Sequence, residues 1–125
     1  MYDGATASAE AALMAMRLTR RSKVVIGNAL HPEYLDVLAS YMGNIEGAMI
    51  ENGTEPGEDT ACVIIQSPDF FGQPHAYKAW REKCDQSGAM LIVVINEIVS
   101  LGLLPAPAEA DIVCGEAQSI GLPMS

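Results

Sequence analysis

The sequence is short of basic and of aromatic residues. Lysine and arginine together number 7 against 16 aspartates and glutamates, giving a formal net charge of −9 over 125 residues. Nucleic acid and anionic membrane surfaces both require basic clusters. The charge balance therefore excludes nucleic acid and membranes as expected partners. Aromatic residues make up only 6%, so the core must be built mainly from alanine, valine, isoleucine, leucine and methionine.

Several site motifs are also missing. Neither of the glycine-rich nucleotide-binding patterns GxGxxG and GxxxxGK[ST] occurs, and no serine lies in a G-x-S-x-G turn. The cysteines Cys62, Cys84 and Cys114 form no CxxC pair and have no histidine at zinc-binding spacing. We therefore expect no metal site and three reduced thiols in a cytoplasmic protein. Two of them, in the apolar runs CVII and DIVCG, are expected to fill the core.

Helix-type and strand-type patterns alternate along the chain. Helices are predicted over about 5–19, from Pro32 to just before Gly43, and over about 74–87, whereas strands are predicted at KVVIG (23–27), GAMIE (47–51), ACVIIQ (61–66), AMLIVVI (89–95) and ADIVCG (110–115). Apolar strands separated by helices are typical of a parallel sheet covered on both faces. The sequence predicts one α/β domain over residues 1–125, in three layers, with a mostly parallel sheet. Because it would start on a helix, we expect it to be a fragment of a larger subunit.

The turn Asp3-Gly4-Ala5-Thr6 is the first candidate site. A glycine at a helix start can present backbone N–H groups to an anion. Alternatively, Asp3 or Thr6 can simply cap the helix. His31 leaves a similar choice between stacking on a ring, acting as a base and capping a helix.

Two further features precede the third helix. His75 lies just before it and is a weaker candidate than His31. Phe70 and Phe71 follow a predicted strand end, where ligands bind in open α/β sheets. They can equally serve to cover the core.

Five segments carry a resemblance to a known family: MYDGATASAEAALMA, HPEY, DTACVIIQSPDFFG, SLGLLPAP and ADIVCGEAQSIGLP. In order and spacing they resemble the first, alpha-type subunit of glycine decarboxylase, the P-protein of the glycine cleavage system. The resemblance implies part of the large domain of type I pyridoxal-phosphate enzymes. It also implies a role in glycine decarboxylation and in aminomethyl transfer to the lipoyl arm of the H-protein. The region Glu51 to Asp59 looks shorter than in relatives.

The same resemblance carries an implication for the cofactor. In that family, pyridoxal phosphate sits on a lysine in a His-Lys-Thr run, and aligning this run with AQSIGLP places Gln118 at the lysine and Ser119 at the threonine. The aspartate that pairs with the pyridine nitrogen would fall at Val93 or Val94. An amide cannot form a Schiff base. The resemblance therefore implies no covalent cofactor on this chain and pyridoxal phosphate on a partner, subunit 2.

The remaining site residues follow from that alignment. The turn at Asp3, Gly4, Ala5 and Thr6 would be the remnant of a phosphate loop, and His31, Asn96, Gln118 and Ser119 would lie on the face toward the partner's active site. No residue of this chain is expected to be catalytic. The loops SPDFF and SLGLLPAP would serve subunit contact. The alternative is a truncated, non-catalytic α/β module that self-associates, so we expect a homo-oligomer when the chain is isolated.

Overall fold

Five parallel strands form one sheet. A computed structural model of the chain describes residues 1–123. The strands are β1 Lys23–Ile26, β2 Met49–Asn52, β3 Thr60–Gln66, β4 Met90–Ile95 and β5 Ile112–Gly115. Their order in the sheet is β2-β1-β3-β4-β5. The helices are α1 Gly4–Thr19, α2 Pro32–Met42 and α3 Tyr77–Ser87, with short 3₁₀ turns at Ile98–Gly102 and Gln118–Ile120. The predicted fold class is confirmed.

Helices cover both faces of this sheet. Helices α1 and α2 pack on one face and α3 packs on the other, with the turn at Ile98–Gly102 beside it. The buried side of α1 is made of small residues, among them alanines at helical spacing, Ala5, Ala9, Ala12 and Ala15, which let the helix approach the sheet closely. Strand β3 is buried along its whole length. The edge strands β2 and β5 are largely exposed or half-buried.

The predicted elements agree with the structure within one to three residues. Helix α3 begins at Tyr77 rather than near residue 74. The residues just before it are held in a loop: the His75 N–H donates to Ser67 Oγ at 3.3 Å, and His75 Nε2 lies 2.8 Å from Asp69 Oδ2. Strand β2 begins later than predicted because Gly47 has a positive φ of 76°, which belongs to a turn.

The connection from β2 to β3 is unusually short. Parallel strands are normally joined by a dozen or more residues, most often including a helix. Here residues 53–59 suffice, because β2 and β1 are only four residues long. Lys83 of α3 anchors the crossover through its Nζ, which lies 2.8 Å from the backbone oxygen of Thr54 and 2.8 Å from Glu55 Oε1.

All three cysteines are free, but the predicted pair of core thiols is partly wrong. Cys62 and Cys84 are fully buried, and burial raises their pKa values to about 12 and about 11. Cys114 is only half-buried, because it lies on the edge strand β5. Its Sγ lies 3.5 Å from Ser8 Oγ.

Within residues 1–123, no helix is both long enough and apolar enough to cross a membrane.

Candidate functional site

Two helix N-termini meet the carboxyl edge of the sheet. The Gly4 N–H, at the start of α1, donates to Glu116, which directly follows β5. The His31 N–H, just before α2, donates to Oε1 of Gln66, the last residue of β3, at 2.9 Å. In open parallel sheets this edge is where ligands bind. Functional groups are therefore expected at this edge.

The start of α1 is a capping box. Asp3 is the N-cap, and its Oδ1 accepts a hydrogen bond from the Thr6 N–H at 2.7 Å. In return, the Asp3 N–H donates to Thr6 Oγ1 at 3.2 Å. Ala5 is buried against the core. Of the two interpretations open from sequence, capping by Asp3 is the one that the geometry supports, with Thr6 as its reciprocal partner.

Three donors converge on the carboxylate of Glu116. Gly4 N–H lies 2.9 Å from Oε1, the Tyr34 hydroxyl lies 2.7 Å from the same oxygen, and Gln118 Nε2 lies 2.5 Å from Oε2. These four residues come from α1, α2 and the segment after β5. We call them the Glu116 cradle.

The cradle keeps Glu116 ionised. Partial burial acts to raise the pKa of this carboxyl group, but the hydrogen bonds from Tyr34, Gly4 and Gln118 outweigh it, and the pKa lies below the ordinary value for glutamate. Burial, and then the bond to Glu116, raise the pKa of Tyr34 far above its ordinary value. The tyrosine is therefore the proton donor and the carboxylate the acceptor.

His31 caps α2 and packs among aromatic rings. Its Nδ1 accepts a hydrogen bond from the Glu33 N–H at 3.2 Å. Its ring meets Phe70 edge-on with centroids 5.2 Å apart, and Tyr34 at 5.6 Å. Phe70 in turn contacts Phe71, which is 75% exposed. The capping role is thus present, and His31 belongs to an aromatic cluster beside the cradle.

His75 serves the loop rather than the cradle. Its Nε2 lies 2.8 Å from Asp69 Oδ2. The hydrogen bond from His75 is the main reason that the pKa of Asp69 is lowered. Together they fix the loop that presents Phe70 and Phe71.

The other predicted residues also lie at the carboxyl edge. Asn96 follows β4, and its Oδ1 is buried with no hydrogen-bond partner among the described residues. Gln118 belongs to the cradle. Ser119 is exposed and donates a short hydrogen bond to Glu97 Oε1, next to Asn96 in sequence. All four predicted residues, His31, Asn96, Gln118 and Ser119, thus lie at the carboxyl edge of the sheet. His31 is connected to Gln118 through Tyr34 and Glu116.

A cleft of about 470 Å³ opens beside the cradle. Its lining includes the polar residues Asp3, Glu116 and Gln118 and is otherwise mainly apolar, with Ile98, Leu101, Val113 and Leu122. Across the described part of the chain, no group of three or more histidine, cysteine, aspartate or glutamate side chains could hold a metal ion.

Sequence reasoning missed the two central residues of this site. Tyr34 lies in the HPEY segment, which predicts only a helix start, and Glu116 is one residue of the longer segment ADIVCGEAQSIGLP. Glu116 does carry one usable signal, since it is the first polar residue after an apolar strand of a parallel sheet. No local signal points to its partners Gly4 and Tyr34, which lie 112 and 82 residues away.

Fold and edge together define an α/β protein whose polar groups gather where the strands end. The whole chain, residues 1–125, matches the family model described as "Glycine cleavage system P-protein". It is 46% identical to a probable glycine dehydrogenase (decarboxylating) subunit 1 from Rhodospirillum centenum and 46% identical to one from Thermotoga petrophila. These alignments cover 100% and 99% of this chain and 30% of each relative.

A solved structure gives the same answer. A crystal structure of glycine decarboxylase (P-protein) of the glycine cleavage system, in inhibitor-bound form, superposes with a TM-score of 0.89 at 38% identity, covering 100% of this chain and 31% of the other. The chain belongs to the glycine cleavage system P-protein family. It spans about a third of the length of the relatives it matches. The alignment with the Rhodospirillum relative runs over 137 positions, so that relative carries residues that this chain lacks.

At the positions that the resemblance assigns to the cofactor's lysine and aspartate, the residues present do not fit a bound pyridoxal phosphate. Gln118 has no amine, and its amide donates to Glu116. Val93 and Val94 are fully buried inside the sheet and offer no carboxylate to a pyridine nitrogen. The helix N–H at Gly4, where a phosphate could be held, is bonded to Glu116.

Proposed function

We propose that this chain works as part of subunit 1 of a glycine decarboxylase, supporting glycine decarboxylation and aminomethyl transfer to the lipoyl H-protein in the cytoplasm. The observation that carries the proposal is the whole-chain match to a solved glycine decarboxylase at 38% identity and a TM-score of 0.89. Because the chain corresponds to about a third of that subunit, the activity is assigned to the complete enzyme.

In this proposal the cofactor resides on subunit 2. The support comes from the poor fit of Gln118, Val93 and Val94 to pyridoxal phosphate. Treatment with pyridoxal phosphate and then borohydride should therefore leave the chain without a stoichiometric adduct. Peptide mapping by mass spectrometry checks this, and a stoichiometric adduct on Lys23, Lys78 or Lys83 would contradict it.

The carboxyl edge is the proposed contact with subunit 2. Two loops there expose large apolar side chains, Phe71 at 75% and Leu103 at 89%. Exposed aromatic and aliphatic side chains of this size are typical anchors of protein interfaces. His31, Asn96, Gln118 and Ser119 lie on this side and would face the partner's active site.

A chimera tests the enzyme proposal directly. The matching segment of subunit 1 from the Thermotoga petrophila relative is replaced by this chain, and the chimera is mixed with its own subunit 2 and H-protein. We expect a stable complex on a sizing column and measurable glycine–bicarbonate exchange. The control is the same subunit with the segment unchanged. A folded chimera that binds subunit 2 without any exchange would refute the role in decarboxylation.

A second candidate function is a self-associating assembly module. The observation in its favour is the uncharged edge strand β5, whose Val113 is 51% exposed beside the exposed Leu122. Light scattering on a sizing column distinguishes the two functions. A dimer that persists unchanged when subunit 2 is added favours the module, and replacement of the dimer by a mixed complex favours the enzyme subunit.

A further inference from the structure

The N-terminus of α1 is hydrogen-bonded to a negatively charged side chain of the same protein. A helix N-terminus favours negative charge, because its first N–H groups are unpaired and the helix dipole is positive there. At Gly4 that negative charge comes from Glu116, 112 residues further along the chain. The Tyr34 hydroxyl and the Gln118 amide hold the same carboxylate from two other directions.

Gly4 shows how closely this carboxylate is seated. A Cβ atom added at Gly4 would meet the Tyr34 hydroxyl in an impossible contact, and would lie 2.8 Å from Glu116 Cγ and 3.0 Å from its Oε1. In phosphate-binding loops, glycine has the same role of letting the anion approach the backbone. Here the group that uses the space is a side chain of the same protein.

An external phosphate would meet two obstacles at this position. It would have to displace Glu116 from three hydrogen bonds, and it would face the carboxylate of Asp3, the N-cap of the same helix. The chain as a whole carries a net charge of −9, which adds no attraction for anions.

We propose that Glu116 is the built-in anion of the α1 N-terminus and keeps this position closed to phosphate groups. The cradle is thus a phosphate-type site filled by the protein's own carboxylate. This inference concerns contacts within the chain and does not depend on glycine decarboxylation. Its test therefore measures phosphate binding and not enzyme activity, so that the two proposals can fail separately.

The first experiment opens the cradle. Glu116→Ala removes the carboxylate and leaves Gly4 N–H and the Tyr34 hydroxyl without their acceptor. The matched control is Glu97→Ala, which removes a carboxylate from the same edge but beside a 3₁₀ turn of five residues. Inorganic phosphate binding is measured for the wild-type chain and both variants by isothermal titration calorimetry and by the thermal unfolding midpoint.

We expect phosphate to bind Glu116→Ala at least about tenfold more tightly than it binds wild type or Glu97→Ala, and to raise the unfolding midpoint of Glu116→Ala alone. Equal binding by all three proteins would overturn the inference. So would a folded Glu116→Ala that binds no phosphate, because the cradle would then have no capacity for an anion.

A second measurement compares the wild-type chain with Glu116→Gln. In the wild-type chain, the amide resonance of Gly4 is followed by NMR as the pH is lowered. The shift should include a step that reports protonation of Glu116, and this step should be missing in Glu116→Gln. A Gly4 resonance that titrates identically in both proteins would show that Glu116 does not hold this N–H, and would refute the inference.

Discussion

At the scale of single residues, the hydroxyl of Tyr34 is the contact in the cradle that can be removed most cleanly. Tyr34→Phe deletes one oxygen from a side chain that is only 7% exposed, and deprives Glu116 of its donor at 2.7 Å. Hydrogen bonds to charged groups contribute more to stability than hydrogen bonds between neutral groups. We therefore expect the free energy of unfolding to fall by about 1–2 kcal/mol. Urea denaturation measures this change. The control is Tyr41→Phe on the outer side of the same helix, where the loss should be close to zero, and equal losses would contradict the assignment.

The acid dependence of stability follows from Glu116 itself. Its pKa is lower in the folded chain than the ordinary value, so its contribution is fully present above the ordinary pKa of glutamate and is lost as the pH falls through the lower, folded pKa. Glu116→Gln should therefore be less stable than wild type near about pH 7, with the difference shrinking by about pH 3. Denaturant unfolding at both pH values checks this, with Glu46→Gln on an exposed turn as the control. A difference that stays constant with pH would contradict the prediction.

At the scale of elements, Asp111 joins α3, β4 and β5. Its Oδ2 lies 2.7 Å from Arg81 Nη1 and accepts the Leu91 N–H at 2.7 Å. Asp111→Ala leaves both donors without this acceptor, and we expect a loss of about 1–2 kcal/mol. Asp85→Ala is the matched control, because Asp85 pairs with the same arginine at 2.9 Å from a side chain that is 66% exposed. An exposed ion pair contributes about 0–1 kcal/mol, so Asp85→Ala should lose less stability than Asp111→Ala. Equal losses of the two variants in thermal or urea unfolding would contradict this prediction.

The elements themselves were readable from the sequence, because each has a local cause. Continuous apolar runs such as ACVIIQ predict buried parallel strands, and the Asp3 cap and the glycines after α2 and α3 mark helix ends. The sequence does not predict which strand ends and helix starts lie next to each other. The Glu116 cradle depends on strand order, which places the end of β5 against the start of α1, and no local pattern encodes that order. The partial error over Cys114 has the same origin, since an apolar run does not tell whether its strand lies at the centre or at the edge.

At the scale of the whole molecule, the two edge strands of the sheet differ in how well they are protected against pairing with other chains. Exposed edge strands invite pairing with other chains unless charges or prolines discourage it. Strand β2 carries Glu51, which pairs with Lys23 at 2.7 Å. Strand β5 carries no charge, exposes Val113, and lines a cleft together with the exposed Met1 and Leu122. Any association of the isolated chain with itself should therefore use the β5 edge.

Two lysine substitutions at matched positions test this asymmetry. Val113 on β5 and Met49 on β2 are 51% and 52% exposed, so Val113→Lys and Met49→Lys place the same charge at equal exposure on opposite edges. Because a charge on an edge strand opposes pairing, Val113→Lys should weaken self-association by about tenfold or more, whereas Met49→Lys should leave it nearly unchanged. Sedimentation equilibrium over a range of concentrations measures both constants. If Met49→Lys proves the more disruptive of the two, the contact runs through β2, and the apolar surface beside the Glu116 cradle is free for another partner.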